Sequence, residues 1–403
     1  MPSSLRAREP RLLILTPDFP PAPGGIQLTA HRLATGIQGF HTLVLAPDAA
    51  GADRFDRAAG VAVLRTPAAG QGPAVRIAAL NAWALGEALR FRPHVTLSIH
   101  IVTSPAAAAA RRTLGARTLQ YFHAEEVGAR PKLAAFAAAH ADVAIAVSSY
   151  TADLVGATGA SVARLALVSP GVDLPADPSP RSEPRPTCVT ISRLQERYKG
   201  HDVMVRAWAL VRARVPNARW VVIGEGSLRP ALEALARSHG VREAVDFLGA
   251  VSDLERDSWL RRAHVLAMPS RLPAGGLAGE GFGIVYLEAG AFEKPVVAGR
   301  AGGALDAVVD GVTGLLVDPT DPVDVADAIT RLLRDGELAV ALGRAGAERA
   351  QQFAWPNVAR RVQELALEQL DSRWRSSTST TPPRSAEESA RCSISSAAFR
   401  KAC

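Results

Sequence analysis

The densest group of chemistry-bearing residues is Gly279-Glu-Gly-Phe-Gly-Ile-Val-Tyr-Leu-Glu288. It reads as a glycine-rich loop opening into a helix. A helix start leaves backbone amides unpaired and carries the positive end of the dipole, so it favours an anion. The amides of Phe282, Gly283 and Ile284 are placed to face a phosphate there. Glu280 stays on the loop, and Glu288, two turns further on, lies on the helix. One carboxylate suits sugar hydroxyls and the other ribose hydroxyls. The plainer alternative is a capped amphipathic helix with no ligand.

A second loop, Ser192-Arg-Leu-Gln-Glu-Arg-Tyr-Lys-Gly-His201, carries Arg193 and Lys199 across a turn that leads into a helix. Two converging cations would clamp a diphosphate and neutralise the charge that grows on it as it leaves. Lys199 stands out because only Lys132, Lys199, Lys294 and Lys401 are lysines, in a chain whose other cations are arginines. A solvated charge pair is the competing reading.

An earlier loop, Asp18-Phe-Pro-Pro-Ala-Pro-Gly-Gly-Ile-Gln27, links the first strand to the first helix. Gly24 and Gly25 permit a close backbone pass beside a helix start, with Gln27 following. An ordinary glycine-containing turn would look the same. G-x-G-x-x-G does not follow this strand, which argues against a nicotinamide oxidoreductase. No D-x-D pair is present, so no metal ion is expected on a bound diphosphate and the cation work falls to Arg193, Lys199 and helix amides.

These loops need a scaffold that aims them at one another. Short apolar runs alternate with alanine-rich helical stretches over the first 370 residues. Strands are expected at Arg11–Thr16, His41–Ala46, Val61–Leu64, His94–Ile99, Thr118–Phe122, Val143–Val147 and Leu165–Val168, with helices such as Leu28–Ile37 and Arg76–Arg90. Asp173–Pro186, rich in proline and charge, reads as a linker. The pattern restarts with strands at Cys188–Ser192, Trp220–Ile223, Ala244–Leu248, Val265–Met268, Pro295–Ala298 and Gly314–Val317. Continuous apolar strands separated by helices imply parallel sheets covered on both faces. The fold class is therefore α/β, with two Rossmann-like domains of parallel sheet facing across a cleft. The expected divisions are residues 1–174, a linker at 175–187, a second domain at 188–371 whose last helix is able to cross back, and a tail at 372–403. That tail is serine-, threonine- and proline-rich, reads as disordered, and is assigned no catalytic role.

Composition narrows the class further. Hydrophobic content of 48% supports two cores, and 21% charged residues is the globular norm. The net charge of +7 is spread along the chain, which speaks against a nucleic-acid footprint and leaves phosphorylated or membrane-bound substrates open. Cys188, Cys392 and Cys403 have neither metal nor disulfide spacing, so a reducing cytoplasm is expected. No stretch reaches the roughly 18 apolar residues of a membrane span. Membrane work would be peripheral.

Taken together, the glycine-rich loop, the Glu280/Glu288 spacing, the Arg193/Lys199 pair and Gly24-Gly25 resemble the retaining glycosyltransferases of family 4, which have the GT-B fold. The resemblance spans about residues 10–368. It implies that Glu280 and the amides after it hold the donor sugar, Glu288 the ribose, and Arg193 with Lys199 the diphosphate. His123, in Phe122-His-Ala-Glu-Glu126, matches a histidine that contacts the sugar; by residue type alone it would read as structural. The stretches DFPPAPGGIQ and MPSR…GEGFGIVYLEAGAFEKPVVAGRAGGALDAV look most similar to phosphatidylinositol mannosyltransferases. That similarity implies a nucleotide-diphosphate sugar donor, GDP-mannose before a UDP-sugar, and a lipid-linked or glycan acceptor. The segment around His123 and the loop Leu272–Ala278 depart from the pattern. Rival readings are a same-fold nucleotide-sugar epimerase or phosphorylase, and a non-catalytic nucleotide-sugar-binding protein.

Overall fold

The computed structural model describes residues 9–66, 72–178, 183–273 and 279–370. Its first sheet contains β1 (Arg11–Leu15), β2 (His41–Pro47), β3 (Ala62–Thr66), β4 (Val95–Ser98), β5 (Arg117–Phe122), β6 (Val143–Ala146) and β7 (Leu165–Leu167). They pair in parallel in the order β3-β2-β1-β4-β5-β6-β7. The second sheet contains β8 (Thr187–Ile191), β9 (Arg219–Ile223), β10 (Val245–Gly249), β11 (Val265–Met268), β12 (Val296–Gly299) and β13 (Gly314–Val317), ordered β10-β9-β8-β11-β12-β13. Strands such as β1, Arg-Leu-Leu-Ile-Leu, are apolar at consecutive positions because helices cover both faces of the sheet; Leu12 to Leu15 are all buried. Each such side chain stabilises the fold by roughly 1.5–3 kcal/mol.

Both sheets reverse direction at their first strand, between β1 and β4 and between β8 and β11. The connections diverge there, opening a crevice beyond the carboxyl ends of the strands. The three glycine-rich or cationic loops singled out above follow β1, β8 and β11. The helix after β1 begins at Gly25, three residues before the position that hydrophobic periodicity indicates. Gly25, Ile26 and Gln27 form its first turn, so Gly24 is the N-cap and Gln27 sits on the helix.

The chain crosses between domains twice, side by side. The Val172 amide donates to the Phe353 carbonyl at 2.9 Å, and Val172 bridges to Ala354. Gly171 is required at this crossing, because a Cβ there would lie 2.5 Å from the Trp355 ring. The helix Trp355–Glu368 then packs on the first domain: Trp355, Val358, Ala359 and Val362 join one core with Ala30, Leu33 and Ile37. Residues 274–278 of the Leu272–Ala278 loop, and the expected tail at 372–403, lie outside the described residues.

Candidate active site

A cleft of ≈ 660 Å³ lies between the two switch points and is walled by both domains. That is the size of a typical small-ligand site. The second-domain wall comes from the loops after β8 and β11. Lys199 Nζ donates to Glu280 Oε2 at 2.6 Å, joining the two loops across 81 positions of sequence. The pair is nearly enclosed, with side-chain exposures of 13% and 12%. Burial alone would lower the Lys199 ammonium, but Glu280, Tyr198 and Glu196 outweigh it and hold the group above its ordinary value. Arg193 is different. Its guanidinium is 68% exposed and turns back onto Glu196 at 2.9 Å. The helix Ile284–Ala291 starts at Gly283, whose φ of +87° is a left-handed conformation, and no side chain caps it. A Cβ on Gly283 would stand 2.3 Å from the Tyr286 ring. The Tyr286 amide turns back to the Gly283 carbonyl at 3.0 Å, and the amides of Phe282, Gly283 and Ile284 are the ones left to meet the cleft.

The side chains of this loop divide their work. Phe282 is 3% exposed and lies in the core against Phe353, while the backbone at Phe282, Gly283 and Ile284 lines the cleft. Glu288 does not line it. It sits one helix face away, 3.8 Å from Arg256, which also pairs with Asp253 and Asp257. Burial raises the Glu288 carboxyl, opposed by Arg256. The structure thus brings Arg193, Lys199, Glu280 and the helix amides together and leaves Glu288 behind them.

The first-domain wall is built from Gly24, Gly25, Gln27 and the ends of β4 and β5. The Gly25 helix also has no side-chain cap and no acid in its first turn. A Cβ on Gly25 would stand 3.4 Å from Ile284 Cδ1, so the two uncapped helix starts oppose one another across the cleft. Gln27 Nε2 reaches Asp18 Oδ1 at 3.4 Å. His123 Nε2 donates to the Ile99 carbonyl at 3.0 Å, which fixes the ring and leaves Nδ1 as its acceptor. Burial lowers His123, with Glu126 opposing, so the ring is neutral at pH 7.

Sequence reasoning left Glu126, Asp18 and His100, among other cleft groups, unassigned. Glu126 accepts from the amides of Ile101 at 3.0 Å and His123 at 2.9 Å, and lies 2.7 Å from His100 Nδ1. It ties the ends of β4 and β5 and is 6% exposed. Asp18 stands near His100 and His123, its carboxyl raised by burial. The signal for His100 was its place directly after the strand expected at His94–Ile99, on the flank of the switch point. Among the described residues, no cluster of three His, Cys, Asp or Glu side chains is arranged to hold a metal ion.

A family model described as Glycosyltransferase Family 4 matches residues 23–175, and one described as Glycosyl transferases group 1 matches residues 176–349. The chain is 37% identical over 383 residues to the GDP-mannose-dependent alpha-(1-6)-phosphatidylinositol monomannoside mannosyltransferase of Mycobacterium tuberculosis, covering 88% of this chain and 97% of that one. The chain is a family 4 glycosyltransferase. Its similarity to the Mycolicibacterium smegmatis enzyme of the same name is 35% identity over 391 residues, 90% of this chain and 100% of the other. The GT-B fold of this glycosyltransferase matches the crystal structure of Anabaena HepE with UDP and glucose. The TM-score is 0.74 at 21% identity, covering 89% of this chain and all of that one. The family 4 and group 1 matches of the enzyme adjoin at residues 175 and 176, between the last strand of the first sheet and the first of the second. No described helix is long and apolar enough to cross a membrane.

Proposed function

We propose that this glycosyltransferase moves mannose from GDP-mannose to a phosphatidylinositol mannoside or closely related glycolipid, with retention at the anomeric carbon and without a metal ion. The observation that carries this reading is the enclosed Lys199–Glu280 pair opposite His123, in a chain similar over nearly its whole length to enzymes named for that reaction. Glu280 and the amides at Phe282, Gly283 and Ile284 take the sugar. Arg193 swings from Glu196 and joins Lys199 on the diphosphate. Glu288, set back beside Arg256, serves the ribose. Gly24, Gly25 and Gln27 receive the acceptor side, with His123 against the sugar.

Glu280 is engaged by Lys199 and Glu126 by two amides, so neither is a free nucleophile. Retention then follows from attack on the face the phosphate leaves. The bond between the anomeric carbon and the bridging phosphate oxygen breaks, the acceptor oxygen bonds to the same face, and its proton passes to the departing phosphate. Arg193, Lys199 and the Ile284 helix start stabilise the charge on that phosphate, which is the work a divalent ion does elsewhere.

The first domain supplies a surface for a lipid-borne acceptor. Residues 1–184 hold 17 Arg and Lys against 13 Asp and Glu. On the helix Pro73–Phe91, Val75 and Leu89 are 49% and 47% exposed, beside exposed Arg76 and Arg90. The neighbouring helix Ser104–Leu114 packs against it and adds exposed Arg112; Arg111 is paired with Asp142 and Arg90 with Glu87. Each cation near an anionic surface contributes about 1 kcal/mol. A cytoplasmic enzyme visiting the inner membrane face fits this.

The deciding experiment compares turnover of GDP-mannose with UDP-glucose on a phosphatidylinositol mannoside acceptor, with products identified by mass spectrometry. Mannosylated lipid from GDP-mannose supports the reading. Release of free sugar phosphate, or an epimerised donor with no transfer, contradicts it.

A further inference from the structure

His201 is the first residue of the helix His201–Arg214 and is 2% exposed. Its Nε2 lies 2.8 Å from Ser192 Oγ, closing the base of the loop that carries Arg193 and Lys199. Its Nδ1 is buried and has no partner among the described residues. Burial, assisted by Lys199 and Arg271 and opposed by Asp202, pushes the ring down to about 4. His201 is therefore neutral at physiological pH and carries one N–H. Placing that proton on Nδ1 would bury a donor with nothing to accept it, and an orphaned buried donor is rarer and costlier than an orphaned acceptor. The proton belongs on Nε2, which donates to Ser192 Oγ.

The backbone of Ser192 is fixed at the end of β8. Its amide donates to the Ile223 carbonyl at 3.0 Å. Its own carbonyl backs onto Gly224, where a Cβ would come within 2.0 Å of it. With an Oγ lone pair occupied by His201, the hydroxyl proton is left to point elsewhere, and Ser192 lines the cleft beside Arg193 and Lys199.

We propose that Ser192 is a donor-binding residue, its hydroxyl donating to a diphosphate oxygen, and that His201 is the positioning residue that fixes the direction of that donation. This rests on the reading that the loop after β8 holds a nucleoside diphosphate. His201 never touches the ligand. It acts by ensuring that Ser192 meets the anion as a donor and does not spend its proton on the protein.

The test is the affinity of the full chain for GDP and UDP, measured by titration calorimetry in chelator. Ser192→Ala should weaken binding of the better nucleotide roughly tenfold, since a hydrogen bond to a charged group is lost. A glutamine at position 201 can place its amide nitrogen where Nε2 lies, whereas an asparagine reaches only to the Nδ1 position. His201→Gln should therefore bind within about twofold of wild type, and His201→Asn should fall as far as Ser192→Ala. Ser192→Ala/His201→Asn should be no weaker than Ser192→Ala. Full affinity in folded Ser192→Ala, or additive losses in the double variant, overturns the proposal. Should His201→Asn not fold, Ser192→Ala and His201→Gln decide between them. A wild-type preference for UDP sinks the GDP-mannose reading alone, because the same ratios are then read with UDP. Binding of neither nucleotide overturns both.

Discussion

The two domains share the strand order 3-2-1-4-5-6 at their core but not the chemistry of the loops at the switch point. The loop after β1 carries a carboxylate, Asp18, and no cation, whereas the loop after β8 carries Arg193, Arg197 and Lys199. Both walls end in an uncapped helix start, at Gly25 and at Ile284. A helix start alone is thus common to both halves, and on the proposed reading the cations distinguish the wall for a diphosphate from the wall for a hydroxyl. The scaffold places the loops, and a few side chains assign the halves their roles.

The sharpest way to break this contrast is to remove the enclosed cation. Lys199→Ala should lower kcat about 10²–10³-fold, as loss of a charge-assisted contact to the leaving group does, with the melting temperature as the control. Near-normal kcat in the folded variant would move the diphosphate elsewhere. Arg193→Ala should cost somewhat less, because that side chain starts from an exposed position and partial replacement by water is possible. On the opposite wall, Gln27→Ala removes a neutral group and should raise the acceptor KM by up to about tenfold while leaving the donor KM unchanged. A larger effect on the donor would erase the division between the walls.

Two smaller effects sharpen the contrast. His201 has a folded value of about 4 against about 6.5 when unfolded, so the unfolded chain binds more protons between these limits. Its contribution to stability is present above pH 6.5 and is lost as the pH falls towards 4. His31, His123 and His264 are lowered too and add to the loss; the raised carboxyls of Asp18 and Glu288 oppose it. The urea midpoint should drop between pH 7 and pH 5, and less in His201→Gln. An equal drop in that variant would assign the loss to other groups. Vesicle sedimentation should rise with anionic lipid and fall with salt, and Arg76→Glu/Arg112→Glu should reduce it. No dependence on lipid charge would leave the first-domain helices without that role.

Much of this architecture is legible in the sequence because the strands are continuous apolar runs, which only a doubly covered parallel sheet requires. Leu12–Leu15 and Val296–Ala298 are examples. The loops were legible through glycine and scarce lysine. Pairings across long sequence separations were not. Nothing in one sequence says that Lys199 meets Glu280, because their approach depends on β8 and β11 being neighbours. Glu126 carried no assigned role in the sequence, yet it is a buried tie between the amides of Ile101 and His123 and the His100 ring, and amides leave no mark in composition. Nothing in the sequence marked His201 as buried; it lies beside the close pass of Gly200 against Pro269, where a Cβ would lie 2.1 Å from the carbonyl oxygen. Glu288 was placed by spacing alone, and spacing does not report Arg256, which lies on another helix.

The central claim is that the second-domain wall alone holds the diphosphate and needs no metal. Calorimetric titration of GDP into wild type, Lys199→Ala and Gln27→Ala, all in excess chelator, tests it most directly. The account predicts binding by wild type, affinity reduced by tenfold or more in Lys199→Ala, and affinity unchanged in Gln27→Ala. Binding that appears only when magnesium or manganese is restored, or that fails in Gln27→Ala and survives in Lys199→Ala, would contradict it.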